Sequence, residues 1–259
     1  MKKEANIFYS LPEVWDFCLE KIYNKSEYIS GFLETLQKYD ITSKSLILDA
    51  GCGSGFPSLD LIEKGYHVIG TDKSSEMVRQ IRINAKNRGL NIEAHHIMWA
   101  GLAEHFEPMF DLVYCRGNSL IYAASWEQNW IVPSRSREEI YKAIKNFYQI
   151  IKPGGILCLD VTNRNERPHQ ENIGIVETKT RPIEILWKIE HNTENKIRTW
   201  TIILKFLDTG EEKKYPSYSY LITKAELLNF LHQAGFHSID EEVPVIGETN
   251  YNVYIAKKI

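Results

Sequence analysis

The sequence predicts an α/β fold: a mostly parallel sheet with helices on both faces, a helical segment before it and an antiparallel β-rich insert late in the chain. Three observations carry this. Between residues 46 and 161 short apolar runs alternate with helical periodicity, the pattern of βα units whose strands are buried on both faces. The first run, Leu46-Ile-Leu-Asp49, breaks into glycines at 51, 53 and 55, a strand–turn–helix unit in which bare backbone lets a ligand approach closely. From 162 to 220 the alternation stops, and β-rich runs joined by polar turns replace it. A chain of 259 residues can bury a full core and fits one elaborated domain better than two. We expect an N-terminal helical cap over 1–45, a core over 46–161 and 221–259, and a lid over 162–220.

The elements follow in order. Ser10-Leu-Pro-Glu13 is a capping box opening a helix with Val14, Trp15, Cys18, Leu19 and Ile22 on its apolar side. A second helix is expected from about 26 to 39, with Tyr23, Lys25 and Tyr28 at the junction. After the glycine turn, a helix carrying Leu59, Leu61 and Ile62 stops at Gly65, and a second strand, His67-Val-Ile-Gly-Thr71, ends on Asp72. Ser74 caps a helix carrying Met77, Val78, Ile81 and Ala85. A third strand is expected at about 92–98, a fourth at Phe110-Asp-Leu-Val-Tyr-Cys115, and a fifth at 156–161. The helix before the fifth strand opens on the capping box Ser136-Arg-Glu-Glu139 and ends at Lys152-Pro-Gly-Gly155. The insert runs are 173–178, 183–190 and 197–207, with Tyr215, Tyr218 and Tyr220 on the last limb. Thr223-Lys-Ala-Glu226 caps a final helix ending at Gly235. Two strands, 237–243 and 251–257, close the sheet.

Composition narrows the function. A net charge of −3 with interspersed signs offers no basic footprint for nucleic acid. The four cysteines form no Cys-x-x-Cys pair, so reduced core thiols are expected. No apolar run is long enough for a membrane helix, and a cytoplasmic protein is expected; association of copies is left open. No metal constellation stands out, since His95 and His96 point to opposite faces of a strand.

The glycine spacing selects the ligand class. A Walker loop needs a lysine that this turn lacks, and a dinucleotide fingerprint places its third glycine one residue later. Asp49 ahead of the turn would repel a pyrophosphate and suits a cationic amine. Asp72, about 20 positions after the first glycine, suits the hydroxyls of a ribose. Glycines alone favour a structural turn; with Asp49 and Asp72 they point to a cofactor.

Asp49-Ala-Gly-Cys-Gly-Ser-Gly55, Gly70-Thr-Asp72, Trp99, Gly117-Asn-Ser-Leu120, Lys152-Pro-Gly-Gly155, Leu159-Asp-Val-Thr-Asn163 and Tyr218 together resemble class I S-adenosylmethionine-dependent methyltransferases along nearly the whole chain. Within that class they are most similar to glycine N-methyltransferase and related small-molecule N-methyltransferases. The resemblance implies a Rossmann-like, seven-stranded methyltransferase sheet. It implies a cofactor site of Tyr28, Asp49, Gly51, Cys52, Gly53, Gly55, Asp72, Lys73, Met77, Met98, Trp99, Arg116 and Gly117. Met98 stands where the family has a polar residue. Asn118, Asn163 and Tyr218 would orient the acceptor amine, with Ser119, Tyr122, Trp126, Arg164, Arg167 and Tyr220 around it. The family also holds a substrate carboxylate with an arginine beyond the fifth strand; Arg164, Arg167, Arg181 and Arg198 are the candidates.

The expected reaction moves a methyl group from S-adenosylmethionine to the nitrogen of a small polar amine, amino-acid-like or guanidino metabolite. An O-acceptor calls for a base near neutral pH, and His169 is the one histidine in the loops concerned, so N-transfer ranks above O-transfer. A binding protein that keeps the cofactor without turnover is the third reading.

Overall fold

The computed structural model describes residues 12–124, 133–162, 167–242 and 251–259. Two N-terminal helices, α1 (Pro12–Ile22) and α2 (Lys25–Lys38), lead into β1 (Leu46–Ala50). Then come α3 (Ser58–Glu63), β2 (His67–Asp72), α4 (Ser75–Asn87), β3 (Glu93–His96), a short α5 (Leu102–His105), β4 (Phe110–Cys115), α6 (Pro133–Ile150) and β5 (Ile151–Thr162). The insert contributes β6 (His169–Glu177), β7 (Pro182–Asn192), β8 (Ile197–Phe206) and β9 (Glu212–Tyr220). α7 (Lys224–Ala234), β10 (Ser238–Glu242) and β11 (Tyr251–Lys257) complete the chain.

The main sheet has seven strands in the order β10-β11-β5-β4-β1-β2-β3. β1 to β5 are parallel, and β11 runs antiparallel to both β5 and β10. The chain moves outward through β2 and β3, then crosses back to place β4 on the other side of β1. That reversal between β1 and β4 is the switch point where open α/β sheets bind ligands. Both faces of the sheet are buried, as the apolar runs require. Leu48, Ala50, Val113, Leu157 and Leu159 pack with Ile140, Ile144 and Phe147 of α6; Ile47, Leu112, Tyr114 and Ile156 pack with Phe32 and Leu36 of α2.

β6 to β9 form a separate antiparallel sheet. Its inner face joins the main core through Ile183, Ile185, Ile202 and Leu204. α1 lies against this sheet. A side chain on Gly174 of β6 would meet the Phe17 ring at 3.2 Å, and the rings of Trp15 and Trp200 are 6.4 Å apart.

Local signals place most boundaries. Ser74 accepts a hydrogen bond from the Met77 amide at 3.2 Å, and Thr223 with Glu226 forms the expected capping box. Other boundaries differ from expectation. Asn24 caps α2 by accepting from the Glu27 amide, so the helix runs from Lys25 to Lys38, one residue earlier than expected. α6 starts at Pro133, which leaves Ser136 inside the helix. β3 is shorter than expected. β5 starts at Ile151 because pairing with β4 passes through the Pro-Gly-Gly stretch by a register shift between Phe110 and Leu112. The insert has a fourth strand, β9, whose Lys213, Lys214 and Pro216 hid it from an apolar-run search; such residues suit a sheet edge. Ser10 lies outside the described residues. All four cysteines are buried and free, and burial pushes the Cys18 thiol up to about 12.

Candidate active site

One cavity opens at the carboxyl ends of β1, β2 and β4, between α1, α2 and the insert sheet. Its cofactor side grows from the turn after β1. The amides of Gly51 and Cys52 donate to the Thr71 carbonyl at 2.8 and 3.0 Å, pinning the turn to the end of β2. Gly53 has φ +49, and a Cβ there would sit 3.4 Å from Trp15 Nε1. Gly55 lies deeper and does not line the cavity. A Cβ there would come within 2.7 Å of Leu59, so its requirement is helix packing and not ligand approach.

Asp72 spans the loop. Its Oδ2 accepts from the Gly53 amide at 3.0 Å and its Oδ1 from the Ser74 amide at 2.8 Å. Each carboxylate oxygen has room for a second donor, and the side chain lines the cavity. Burial raises its pKa, and the two amides pull it back down. Asp49, near the end of β1, is buried between α3 and β4. Its Oδ2 accepts from Ser58 Oγ at 2.7 Å and from Tyr114 Oη at 2.9 Å. Burial lifts its pKa to about 7, the two hydroxyls work against that, and the Asp72 charge adds to it. Lys73, Met77, Met98, Trp99 and Tyr28 line the same side; Met98 is 63% exposed at the rim. Two aspartates, bare backbone and an apolar ledge fit a molecule with a cationic end, a sugar diol and a flat base.

The floor is the loop after β4, and a residue with no role expected from sequence builds it. Asp160 of β5 is fully buried. It accepts from Arg116 Nε at 2.8 Å, the Gly117 amide at 3.0 Å and the Asn118 amide at 2.6 Å. The Arg116 guanidinium also lies 5.5 Å from the Tyr28 ring. These bonds hold Asn118 in the left-handed region at φ 58, a conformation asparagine tolerates better than most residues. Asn118 Nδ2 donates to Thr162 Oγ1 at 2.5 Å, and its Oδ1 accepts from the Thr162 amide at 2.8 Å. Asn118 therefore lines the cavity with its amide engaged in tying the loop to β5. Ser119 Oγ donates to the Arg116 carbonyl at 2.8 Å and keeps acceptor lone pairs.

The acceptor side departs further from expectation. Ser119 and Tyr122 line the cavity, as do Asp49, Gly51, Cys52, Asp72 and Gly117. Tyr218 does not. The register pairs it with Thr199, whereas Arg198 and Trp200 pair with Ser219 and Ser217. Strand alternation thus turns Tyr218 and Tyr220 to the opposite face. Tyr220 instead donates to Glu226 Oε1 at 2.8 Å, fastening β9 to α7. Arg167 is exposed and away from the cavity. Asn163, Arg164 and Trp126 lie outside the described residues. In place of the tyrosines stand Trp187, Ile189, Arg198 and Trp200 of the insert and Trp15 of α1. The alternation of Arg198 and Trp200 along one strand was the available signal.

Among the described residues no group of three or more acidic, histidine or cysteine side chains could hold a metal. No helix among them is long and apolar enough to cross a membrane.

A methyltransferase-domain family matches residues 47–155. The glycine/sarcosine N-methyltransferase of Aphanothece halophytica is 31% identical over 151 residues, covering 58% of this chain and 52% of that protein. A ubiquinone biosynthesis O-methyltransferase of Pseudomonas fluorescens is 28% identical over 123 residues, 48% of this chain and 47% of that protein. The chain thus spans about half the length of these curated relatives. An S-adenosylmethionine-dependent methyltransferase from Clostridium acetobutylicum shares the fold, with a TM-score of 0.72 at 14% identity over 98% of this chain and 99% of that one. Residues 47–155 thus match a methyltransferase-domain family, the fold around them is that of S-adenosylmethionine-dependent methyltransferases, and S-adenosylmethionine is the cofactor that the glycine turn and two aspartates fit.

Proposed function

We propose that the protein is an N-methyltransferase of a small polar amine bearing an anionic group. The observation that carries this reading is the buried Arg198, which lines the acceptor side of the cavity and donates to Tyr122 Oη at 2.8 Å. A guanidinium so placed matches a carboxylate in charge and geometry. Of the candidate arginines among the described residues, Arg167, Arg181 and Arg198, it is the one that lines the cavity. When bound, S-adenosylmethionine supplies an electrophilic methyl group on a sulfonium. Asp72 would hold the ribose hydroxyls, Asp49 would face the cationic amine, and Met98 with Trp99 would cover the base. Ser119 Oγ would accept an N–H of the acceptor amine, while Arg116, Asp160 and Asn118 keep the loop beneath it rigid. Positioning of this kind is worth roughly 7–11 kcal/mol of a barrier.

A base is the feature that separates N- from O-transfer. No histidine among the described residues lines the cavity. Glu139, which does, is bound to Lys142 at 3.1 Å. A neutral amine needs no base before attack, and that supports nitrogen over oxygen. The relative named as a glycine/sarcosine N-methyltransferase supports the same choice. Incubation with methyl-labelled S-adenosylmethionine and a mixed panel of amino acids, guanidino compounds and phenols tests it. Label in amines and none in phenols is expected. Label confined to phenols would establish O-transfer, and no label at all with intact cofactor binding would make the protein a non-catalytic binder.

A further inference from the structure

The acceptor side of the cavity carries more aromatic surface than a bare amino acid can cover. Arg198 and Trp200 alternate on one face of β8, and the register brings Ile189 and Trp187 of β7 onto the same face. All four line the cavity. The Trp187 and Trp200 rings meet edge to face at 4.8 Å, and Trp15 approaches Trp200 from α1 at 6.4 Å. Tyr122 closes the group, 6.5 Å from Trp200, with its hydroxyl on Arg198. Strand rise sets the backbones of Arg198 and Trp200 about 7 Å apart, a span that one ring with a short acidic arm can bridge. The Trp187 Nε1 is buried, and among the described residues the weakly accepting Cys18 thiol is its one polar neighbour. Its indole is therefore held there by apolar contact and not by a strong hydrogen bond.

Three indoles could also cradle an alkylammonium. A guanidinium on the same sheet face argues against that, because two like charges in a desolvated site repel. Apolar surface gains when apolar surface covers it, and a guanidinium lining a cavity recognises an anion by charge and by its fork of donors. The amine then points away from the indoles, toward the loop at Gly117-Asn118-Ser119.

We infer that the acceptor is an amine with a flat apolar or aromatic body, stacked among Trp15, Trp187 and Trp200, and an anionic group held by Arg198. The inference rests on the proposed N-methyl transfer for the role of the amine. The body and anion subsites can be tested without turnover.

The test is calorimetric binding to the complex of the full chain with S-adenosylhomocysteine. The probes are indole-3-propionate, its neutral amide and acetate. Indole-3-propionate should bind at least tenfold more tightly than either of the others. Trp200→Ala should remove the advantage over acetate, and Arg198→Gln the advantage over the amide. S-adenosylhomocysteine should keep its affinity within about twofold in both. Should Trp200→Ala fail to bind S-adenosylhomocysteine, Trp187→Leu makes the same comparison. Equal binding of the three probes, or an undiminished preference in the tryptophan variants, overturns the inference. Methyl transfer from labelled cofactor to glycine and to phenylalanine separates the two claims. Transfer to glycine without binding of indole-3-propionate removes the aromatic subsite and leaves N-methylation standing. Tight indole-3-propionate binding with transfer to no amine leaves the subsite and removes the N-methyl reading.

Discussion

Replacing Asp49 with asparagine should stabilise the ligand-free protein at alkaline pH and destabilise it at acidic pH. Burial lifts this carboxyl from an ordinary 3.8 to about 7, against the pull of Ser58 and Tyr114. At 1.36 kcal/mol per pKa unit, the fold disfavours the ionised form by about 4 kcal/mol. The sign follows from linkage. The unfolded chain ionises near 4 and the folded chain near 7, so the stability gained from holding a neutral carboxyl is complete below about pH 4. It is lost as pH rises to 7. Asparagine never ionises and escapes that loss. Its amide puts two N–H donors in place of a carboxyl oxygen at a buried position, at a cost of roughly 2 kcal/mol where they find no acceptor. At pH 8.5 the balance favours Asp49→Asn by about 2 kcal/mol, some 4–8 °C in Tm for a chain of this size; at pH 4, where only about 0.5 kcal/mol of the loss has accrued, it turns against the variant by about 1.5 kcal/mol. Scanning calorimetry of both proteins at the two pH values measures this. Comparing the pair cancels Asp72, which titrates in each. Equal loss of Tm at both pH values would refute the account. The same carboxyl should release a proton when S-adenosylmethionine binds near pH 7, because a cation beside it restores ionisation. Binding enthalpies measured in phosphate and in Tris would then differ.

Other perturbations test the remaining parts of the site. Asp72→Ala should weaken S-adenosylhomocysteine by about 1.5–3 kcal/mol in calorimetry, the cost of leaving hydroxyl donors without their acceptor. Gly55→Ala places a Cβ 2.7 Å from Leu59 at φ +124 and should lower stability in urea denaturation by about 1–3 kcal/mol through overpacking. Asp160→Asn removes the buried carboxylate paired with the Arg116 guanidinium and should cost about 3–5 kcal/mol in the same experiment. The double variant Arg116→Met/Asp160→Asn should recover at least half of that loss.

The parallel core was legible because its strands are buried on both faces. A run such as Leu46-Ile-Leu-Asp49 has few other stable settings, and Asp49, the glycines and Asp72 are close in sequence to the loop they form. The insert was less legible. Its strands are half-buried and their pairing spans turns of variable length, so composition marks them as β without fixing register. A one-residue change in register exchanges the two faces. That is why the sequence points to Tyr218 when Ser217 and Ser219 occupy the inward positions beside Trp200 and Arg198. The Asp160 cluster was hidden for a related reason. An acidic residue inside Leu-Cys-Leu-Asp-Val is visible in the sequence, but its partners are backbone amides and a guanidinium 42–44 positions upstream.

Those two features divide the work of the cavity between elements of different character. The floor hangs from β4 and β5 through bonds that include two backbone amides and a fully buried carboxylate, so substitutions at its side chains move it little unless they remove Asp160. The wall opposite, among the described residues, is made of side chains from a half-buried sheet, from α1 and from Tyr122, where a single exchange at 187, 198 or 200 should reshape what fits. Cofactor binding and acceptor choice should accordingly separate by mutation. Changes on β7 and β8 should alter which molecule is methylated while S-adenosylhomocysteine affinity stays constant. Changes at Asp160 should lower turnover for every acceptor alike, because the loop beneath the transferred methyl is common to all of them.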